Sequence, residues 1–217
     1  MEIINFDNQK SLVSQYMMEL RDVNIQKDKL RFRINLERIG QIMAYEISKR
    51  LDYESVATQT PLATTTCNAV SEKIVLGTIL RAGLPFHQGF LNYFDNADNA
   101  FVSAYRKYKE KEHFEIHIEY IAAPRIDDKT LILVDPMLAT GASMELSYRA
   151  LLTKGHPAKI HIASAIASQQ AIDFIKANFP DDITTVWVGA IDSEINIHSY
   201  IVPGLGDAGD LAYGEKE

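Results

Sequence analysis

The chain has 217 residues, 47% of them hydrophobic and 24% charged, which is typical of a single globular domain with a sizeable core. The formal net charge of −7 argues against a nucleic-acid-coating surface, because phosphate contacts need clustered Lys and Arg. No apolar run approaches the roughly 18 residues of a membrane span, and the single cysteine, Cys67, predicts neither a disulfide nor a zinc site, so we expect a cytoplasmic protein.

The first part of the chain predicts two helices. Apolar residues recur with helical spacing over residues 8–20, and more regularly over residues 28–50. Pro61 and the Thr-rich run after it predict an extended connector. We therefore expect N-terminal helices at about 8–50 and a core at about 73–217, within one domain spanning 1–217.

From residue 73 onward, strand and helix patterns alternate. The predicted strands cover residues 73–80, 100–105, 114–121, 130–135, 159–166 and 183–191, and the predicted helices cover 84–94, 142–153 and 168–178. This order predicts an α/β fold with a parallel sheet and helices on both faces. Residues 114–121 alternate strictly between apolar and polar, which is typical of a hairpin arm with one wet face.

The segment LILVDPMLATGAS, residues 131–143, combines a buried strand, the acid Asp135, a small-residue loop and a helix start. Backbone N–H groups in such a loop and at the helix N-terminus form an anion site that suits a phosphate. The acid at the strand end can hold sugar hydroxyls or a metal. The plain alternative is a strand–helix junction whose Thr or Ser caps the helix, but small residues at 139–143 also permit close approach to the backbone.

Two arginines follow other predicted strands. Arg81, in LRAGL, stands where a strand ends and a helix begins, and Arg106 follows Tyr105 at the end of the next strand. Because the carboxyl ends of parallel strands share one sheet edge, we expect both arginines to face the crevice beside Asp135. Arg is well shaped to bind a diphosphate.

Near the C-terminus, the segment PGLGDAGD spans residues 203–210. Its glycines expose backbone donors and acceptors, which can bind the edge of a flat heterocycle. The alternative is an ordinary glycine-rich turn or a frayed end. The six histidines show no ligand spacing, and Trp187 is expected in the core.

These motifs, in this order, resemble the signatures of the type I phosphoribosyltransferases and, among them, the uracil-specific branch. The resemblance rests on ILRAGL, the Tyr105–Arg106 pair, VDPMLATG and PGLGDAGD, and spans residues 79–210. It implies the type I phosphoribosyltransferase fold, with a β-hairpin flap arm at about 106–121 and a C-terminal base-binding hood. It also implies transfer of ribose 5-phosphate from phosphoribosyl pyrophosphate (PRPP) to N1 of uracil, giving UMP and pyrophosphate.

The resemblance also implies roles for individual residues. Arg81 and Arg106 would bind the pyrophosphate, and Asp207 would lie close to PRPP and Mg2+. Together with Asp135, these are the candidate catalytic residues, and a non-proline cis peptide is expected near Arg81–Ala82. The loop that would cradle the ribose 5-phosphate consists of Asp135, Pro136, Met137, Leu138, Ala139, Thr140, Gly141, Ala142 and Ser143. The residues that would surround uracil are Ile201, Gly206, Asp207 and Ala208.

The chain departs from the family pattern at four places. Ala142 replaces a common second glycine, which helical dihedrals at that residue would tolerate. Ser199 stands where a glycine usually precedes the Tyr–Ile pair. Residues 167–169 and Leu211 also differ, and we expect these two departures to bear on regulation or a subunit contact more than on chemistry.

Three alternatives stay open from the sequence. They are a phosphoribosyltransferase for a purine or orotate, a non-catalytic pyrimidine-nucleotide sensor that binds RNA, and a sugar-phosphate-binding structural subunit. The PGLGDAGD segment argues against the first, and the negative charge argues against the second. The resemblance suggests a homodimer or higher homo-oligomer and GTP as a candidate effector, although no GTP site is evident in the sequence.

Overall fold

A computed structural model describes residues 1–110 and 113–215, and for residues 104–118 only the backbone is considered. The strands are β1 (Glu2–Asn5), β2 (Tyr53–Gln59), β3 (Thr64–Val70), β4 (Ile74–Leu80), β5 (Asp98–Glu110), β6 (His113–Ala122), β7 (Thr130–Val134), β8 (Met137–Leu138), β9 (Lys159–Ser168), β10 (Thr184–Asp192), β11 (Glu194–Ile195) and β12 (Ile201–Val202). The α-helices are α1 (Leu12–Arg21), α2 (Lys29–Ser48), α3 (Leu84–Leu91), α4 (Ala142–Leu151), α5 (Gln169–Asn178) and α6 (Ala208–Tyr213).

The central sheet has the strand order β1-β10-β9-β7-β4-β5-β6, and the short strand β8 pairs with β9. Its pairings are parallel, except that β6 returns antiparallel to β5. The predicted parallel α/β fold with a hairpin arm is therefore confirmed. Residues 111 and 112 of the predicted flap lie outside the described residues, and the mobility of the flap stays a prediction.

The sheet separates two hydrophobic cores. Alternate residues of β7 point to opposite faces, so that Ile132 and Val134 join one core while Leu131 and Leu133 join the other. Helices α1, α2 and α3 cover the first face, and α4 and α5 cover the second. Trp187 is buried in the first core, as expected, and its indole N–H donates to Nδ1 of His161 at 3.1 Å.

The long helix α2 confirms the predicted helix over residues 28–50. Asp28 caps it by accepting hydrogen bonds from the N–H groups of Leu30 and Arg31. It packs closely on α3 at Gly89, where a Cβ would lie 2.1 Å from the carbonyl oxygen of Glu37. This contact fixes α3, and therefore the Arg81 turn that precedes it, against the N-terminal helices. Among the described residues, no helix combines the length and apolarity needed to span a membrane.

The chain after Pro61 is extended, as predicted, but it forms strand β3 of a hairpin rather than a connector. Strands β2 and β3 form an antiparallel hairpin whose residues are almost all exposed on both faces. Without a buried face, the sequence lacks the period-two apolar pattern by which strands are predicted. Strands β1, β8, β11 and β12 and helix α6 were not predicted either, because each has six residues or fewer.

Candidate active site

Three of the predicted site residues, Asp135, Arg81 and Arg106, lie on or directly after three neighbouring strands, at one edge of the sheet. β4 lies between β7 and β5 and runs parallel to both, so that Asp135 follows β7 and Arg81 follows β4. Leu80 is opposite Ser103 on β5, and Arg106 lies three residues further along β5, with its backbone paired to Ile116. The backbone of Arg106 therefore lies at the same edge, while its side chain is outside the described ones.

The loop after β7 is shaped by Gly141. This glycine has φ +80°, and a Cβ on it would lie 2.9 Å from Cδ1 of Phe174, so the position suits a residue without a side chain. Ala142 is the first residue of α4 and follows Gly141 directly. The helical conformation expected for Ala142 is thus confirmed.

Residues of this loop surround a small cavity of about 50 Å³. Its lining consists of Asp135, Met137, Leu138, Ala139, Thr140, Gly141, Ser143 and Met144. Pro136 and Ala142 belong to the predicted loop but not to the lining, and Met144 was not predicted. Gly141, the N-cap of α4, has no side chain, and Oγ1 of Thr140 accepts from the N–H of Ala142 at 3.4 Å. Among the described residues, the N–H groups of Ser143 and Met144 have no side-chain partner, which leaves them available to an anion.

Asp135 is a carboxyl group with an unusual pKa. Burial raises its pKa to about 7, and the hydrogen bond that it accepts from the N–H of Met137 at 3.3 Å opposes this shift only in part. The group therefore changes charge near neutral pH. A carboxyl of this kind can bind hydroxyl groups as an acceptor when it is ionised, or donate when it is protonated.

Ser168 supports the same loop from the neighbouring strand. It is fully buried, its hydroxyl donates to the carbonyl oxygen of Ala139 at 2.5 Å, and it accepts from the N–H of Ala171 at 2.9 Å as the N-cap of α5. The sequence departure at residues 167–169 therefore acts on the candidate phosphate loop. Our expectation that this departure bears on regulation or a subunit contact has no support in these contacts.

Arg81 joins the end of β4 to the C-terminal segment. Its Nη2 donates to Oδ1 of Asp210 at 2.7 Å and to the carbonyl oxygen of Gly214 at 2.8 Å. The cis peptide expected near Arg81–Ala82 is the bond before it, Leu80–Arg81. Nε of Arg81 is buried and has no hydrogen-bond partner among the described residues, while the side chain as a whole is 34% exposed, so a ligand would reach the exposed part of the guanidinium.

The segment from β12 to α6, residues 201–213, is called the hood below. Ile201 and Ala208 are 3% and 2% exposed and pack with Leu205 into the first core. Their side chains are therefore covered, and a bound base would have to contact their backbone groups. Gly206 is exposed with φ +95°, and Asp207 caps α6 by accepting from the N–H of Asp210 at 3.0 Å.

Metal binding at this site would require a bound substrate to supply part of the coordination. Within residues 1–110 and 113–215, no three His, Cys, Asp or Glu side chains gather closely enough to hold an ion. Magnesium commonly binds through one or two carboxylates together with substrate phosphates. Asp207, which is partly exposed beside Arg81 and its partner Asp210, fits that mode of binding.

Sequence reasoning gave no role to several residues that the structure places around the site. Asp210 lies within the PGLGDAGD segment, but its partner Arg81 is 129 residues away in the chain. Met144 and Ser168 belong to helix and strand patterns that predict only packing. Arg21 and Asp192, which contact the hood at Gly204, stand in segments without any motif.

The chain is similar to known proteins over nearly its whole length. The family model described as uracil phosphoribosyltransferase matches residues 8–215. A Porphyromonas gingivalis protein named uracil phosphoribosyltransferase is 63% identical over 216 residues, covering 100% of both chains. A Pyrococcus furiosus protein of the same name is 38% identical, over 94% of this chain and 86% of its own. The solved structure of the AQ2163 protein from Aquifex aeolicus superposes with a TM-score of 0.87 at 31% identity, over 98% of both chains.

Proposed function

The chain belongs to the uracil phosphoribosyltransferase family, and we propose that the three strand ends and the hood of this single domain perform that family's reaction. The reaction transfers ribose 5-phosphate from PRPP to N1 of uracil and yields UMP and pyrophosphate. The observation that carries the proposal is the arrangement at one sheet edge of a phosphate-sized loop, Asp135 and Arg81, with Arg81 bonded directly to the hood.

In this proposal, residues 135–143 cradle the ribose 5-phosphate. The N-terminus of α4, beyond the Ala142 N–H that Thr140 accepts, supplies N–H donors and a favourable helix dipole to the phosphate. Ionised Asp135 accepts hydrogen bonds from the ribose hydroxyls. Arg81 and Arg106 bind the pyrophosphate, Arg81 through the exposed part of the guanidinium that holds Asp210 and Gly214.

The reaction depends on positioning of the two substrates and on stabilisation of the leaving group's charge more than on a strong nucleophile. The bond from the anomeric carbon to the pyrophosphate oxygen breaks with its electron pair on pyrophosphate, positive charge develops on the ribose, and uracil N1 then bonds to that carbon. Arg81 and Arg106 stabilise the departing charge. Asp207 is our candidate to accept the N1 proton.

Mg2+ fits this site as an ion carried by pyrophosphate, with Asp207 as the carboxylate that would contact it. When bound, it would add positive charge beside the leaving group. Uracil would bind to backbone groups of Ile201, Gly206, Asp207 and Ala208. The flap formed by the ends of β5 and β6 would exclude water from the reactive sugar.

We further propose a homodimer or higher homo-oligomer. Residues 55–71 carry no charge, and the β2–β3 hairpin, of which they form all but Tyr53 and Glu54, exposes Val56, Leu62 and Val70. An isolated two-stranded hairpin is marginally stable in water, so a second copy is a suitable cover for it. Because PRPP is an intracellular metabolite, we propose a cytoplasmic location, and we retain GTP as a candidate effector to be tested by addition.

Product analysis tests this function directly. Purified protein, Mg2+ and PRPP are incubated with uracil, cytosine, hypoxanthine or orotate, and the nucleotides are separated. We expect UMP alone. Another nucleotide would contradict the proposed base specificity, whereas PRPP binding without any product, with and without GTP, would indicate a sensor and contradict the proposed catalysis.

A further inference from the structure

An ion pair at the edge of the hood joins two segments that are far apart in the chain. Arg21, the last residue of α1, donates from Nη1 to Oδ2 of Asp192 at 2.8 Å and from Nη2 to Oδ1 at 2.9 Å. Asp192 ends β10, and its side chain is only 8% exposed. Two parallel hydrogen bonds between a guanidinium and a largely buried carboxylate fix the relative orientation of both groups.

Both members of this pair also hold the backbone of Gly204. Its N–H donates to Oδ2 of Asp192 at 2.8 Å, and its carbonyl oxygen accepts from Nη1 of Arg21 at 3.3 Å. Beside them, Nε2 of Gln26 donates to the carbonyl oxygen of Leu205 at 3.1 Å. Side chains from α1, the segment after it and β10 thus restrain two consecutive hood residues.

Gly204 is a position at which the hood backbone has little freedom. It has φ +62°, and a Cβ would lie 2.0 Å from the carbonyl oxygen of Ile201. The residues that follow, Gly206 to Ala208, are those proposed above to bind uracil through backbone groups. A backbone N–H or C=O group has no rotamers. Its direction toward a ligand therefore depends on how the whole segment is held.

We propose that Arg21 and Asp192 are positioning residues for uracil, which orient the hood backbone through Gly204 without touching either substrate. The inference rests on the proposed function of the hood. It assigns the pair an effect on uracil binding that is separate from PRPP binding, because the phosphate loop and Arg81 make no hydrogen bond to the pair among the described contacts.

The pair is expected to stay ionised under assay conditions. Burial acts to raise the pKa of Asp192, but the hydrogen bonds from Arg21 and from the Gly204 N–H outweigh it, so the pKa lies below the ordinary value of an aspartate. The carboxylate therefore remains an acceptor for both partners at neutral pH.

The test compares kcat and both KM values in the full-length enzyme. For Arg21→Met we expect KM for uracil to rise about tenfold, with KM for PRPP changed less than twofold. Asp192→Ala should act similarly. Asp192→Asn should be milder, because its amide oxygen still accepts from the Gly204 N–H.

Arg50→Met is the matched control. Arg50 also forms a two-fold hydrogen-bonded pair, at 3.1 Å and 3.1 Å, with Glu2, but that pair is half exposed and lies at the opposite edge of the sheet. We expect both KM values of this variant to equal those of the wild type.

Two outcomes would overturn the inference: an unchanged KM for uracil in folded Arg21→Met, or an equal rise of both KM values, which indicates general loosening. Gly206→Ala separates this failure from failure of the hood assignment, since its methyl group meets only Leu211 at ordinary contact distance but φ +95° strains an alanine, so the change disturbs the hood backbone itself. If Gly206→Ala raises KM for uracil and Arg21→Met does not, the positioning role is wrong. If neither changes it, the hood does not bind uracil.

Discussion

Nη2 of Arg81 lies 2.7 Å from Oδ1 of Asp210, and this ion pair connects the end of β4 to helix α6 of the hood. Both side chains are about one-third exposed, so the pair is open to competition from a ligand. Because both bonds to the hood come from Nη2 and a guanidinium has further N–H donors, the exposed part of the same group can bind pyrophosphate while it holds the hood. Arg81 therefore couples the proposed binding of PRPP to that of uracil.

Arg81→Lys tests this dual role. A single ammonium lacks the planar fork of a guanidinium and cannot reach both Asp210 and a pyrophosphate in that geometry. We expect kcat/KM for PRPP to fall about 10- to 100-fold, which corresponds to about 1.5–3 kcal/mol for a hydrogen bond to a charged group, and KM for uracil to rise. Steady-state kinetics with each substrate varied in turn measures both quantities.

Asp210→Asn is the companion variant. Its amide oxygen still accepts from Arg81 and the guanidinium is unchanged, so we expect KM for PRPP to change less than in Arg81→Lys. We expect KM for uracil to rise, because a neutral amide holds Arg81 less strongly than a carboxylate does and the hood is held less firmly. If Arg81→Lys alters KM for PRPP alone and leaves that for uracil unchanged, the coupling through Arg81 is wrong.

Asp135→Asn should stabilise the protein at alkaline pH. The pKa of Asp135 is raised to about 7, above that of an unfolded aspartate, so the folded state binds the extra proton between about pH 4 and 7 and loses stability as the pH rises through that range. Removing the ionisable group should therefore increase the free energy of unfolding by about 1–3 kcal/mol at pH 8 and hardly at all near pH 4.

Urea unfolding of Asp135→Asn and the wild type at the two pH values measures this difference. Turnover of the same variant should fall, because a neutral amide holds the ribose hydroxyls less strongly than a carboxylate. An equal gain at both pH values would mean that the substitution changes packing rather than ionisation.

The sheet and its strand-end residues were predictable because their signals are local. Four consecutive apolar residues at 131–134 followed by Asp135 mark a buried strand and its end, and parallel strands bring their carboxyl ends to one edge. The contacts of the hood were not predictable in this way. Arg21 and Asp192 are 171 residues apart, and neither side chain belongs to a periodic pattern or a motif.

The side-chain contacts that support the loop after β7 were also not predictable from the sequence. Ser168 ends a strand and begins a helix, which predicts an N-cap, but nothing local indicates that its hydroxyl also reaches Ala139 in the phosphate loop. The β2–β3 hairpin was not predicted for a different reason. Its polar, Thr-rich strands bury no face in this chain, so the pattern that identifies strands is absent.

Ser168→Ala tests whether that serine supports the phosphate loop. The change removes an N-cap and a buried hydrogen bond, and we expect a loss of about 1–2 kcal/mol of stability together with a several-fold rise in KM for PRPP. Ser11→Ala is the control, because Ser11 caps α1 through the N–H of Val13 at 3.2 Å but is exposed. A similar KM change in both variants would contradict a specific role for Ser168.

Ser199→Gly should stabilise the chain without altering its chemistry. Ser199 has φ +61°, in the left-handed region that costs an L-residue roughly 1–2 kcal/mol, and glycine adopts it freely. Part of this gain is offset by the greater freedom of glycine in the unfolded chain, so we expect a net gain of about 0.5–1 kcal/mol in the free energy of unfolding. Ser71→Gly serves as the comparison, since Ser71 has no positive φ and is also exposed, and that change should destabilise. Denaturant titration measures the free energy of unfolding of both variants. A loss of stability in Ser199→Gly equal to that in Ser71→Gly would show that the turn at Ser199 carries no conformational cost.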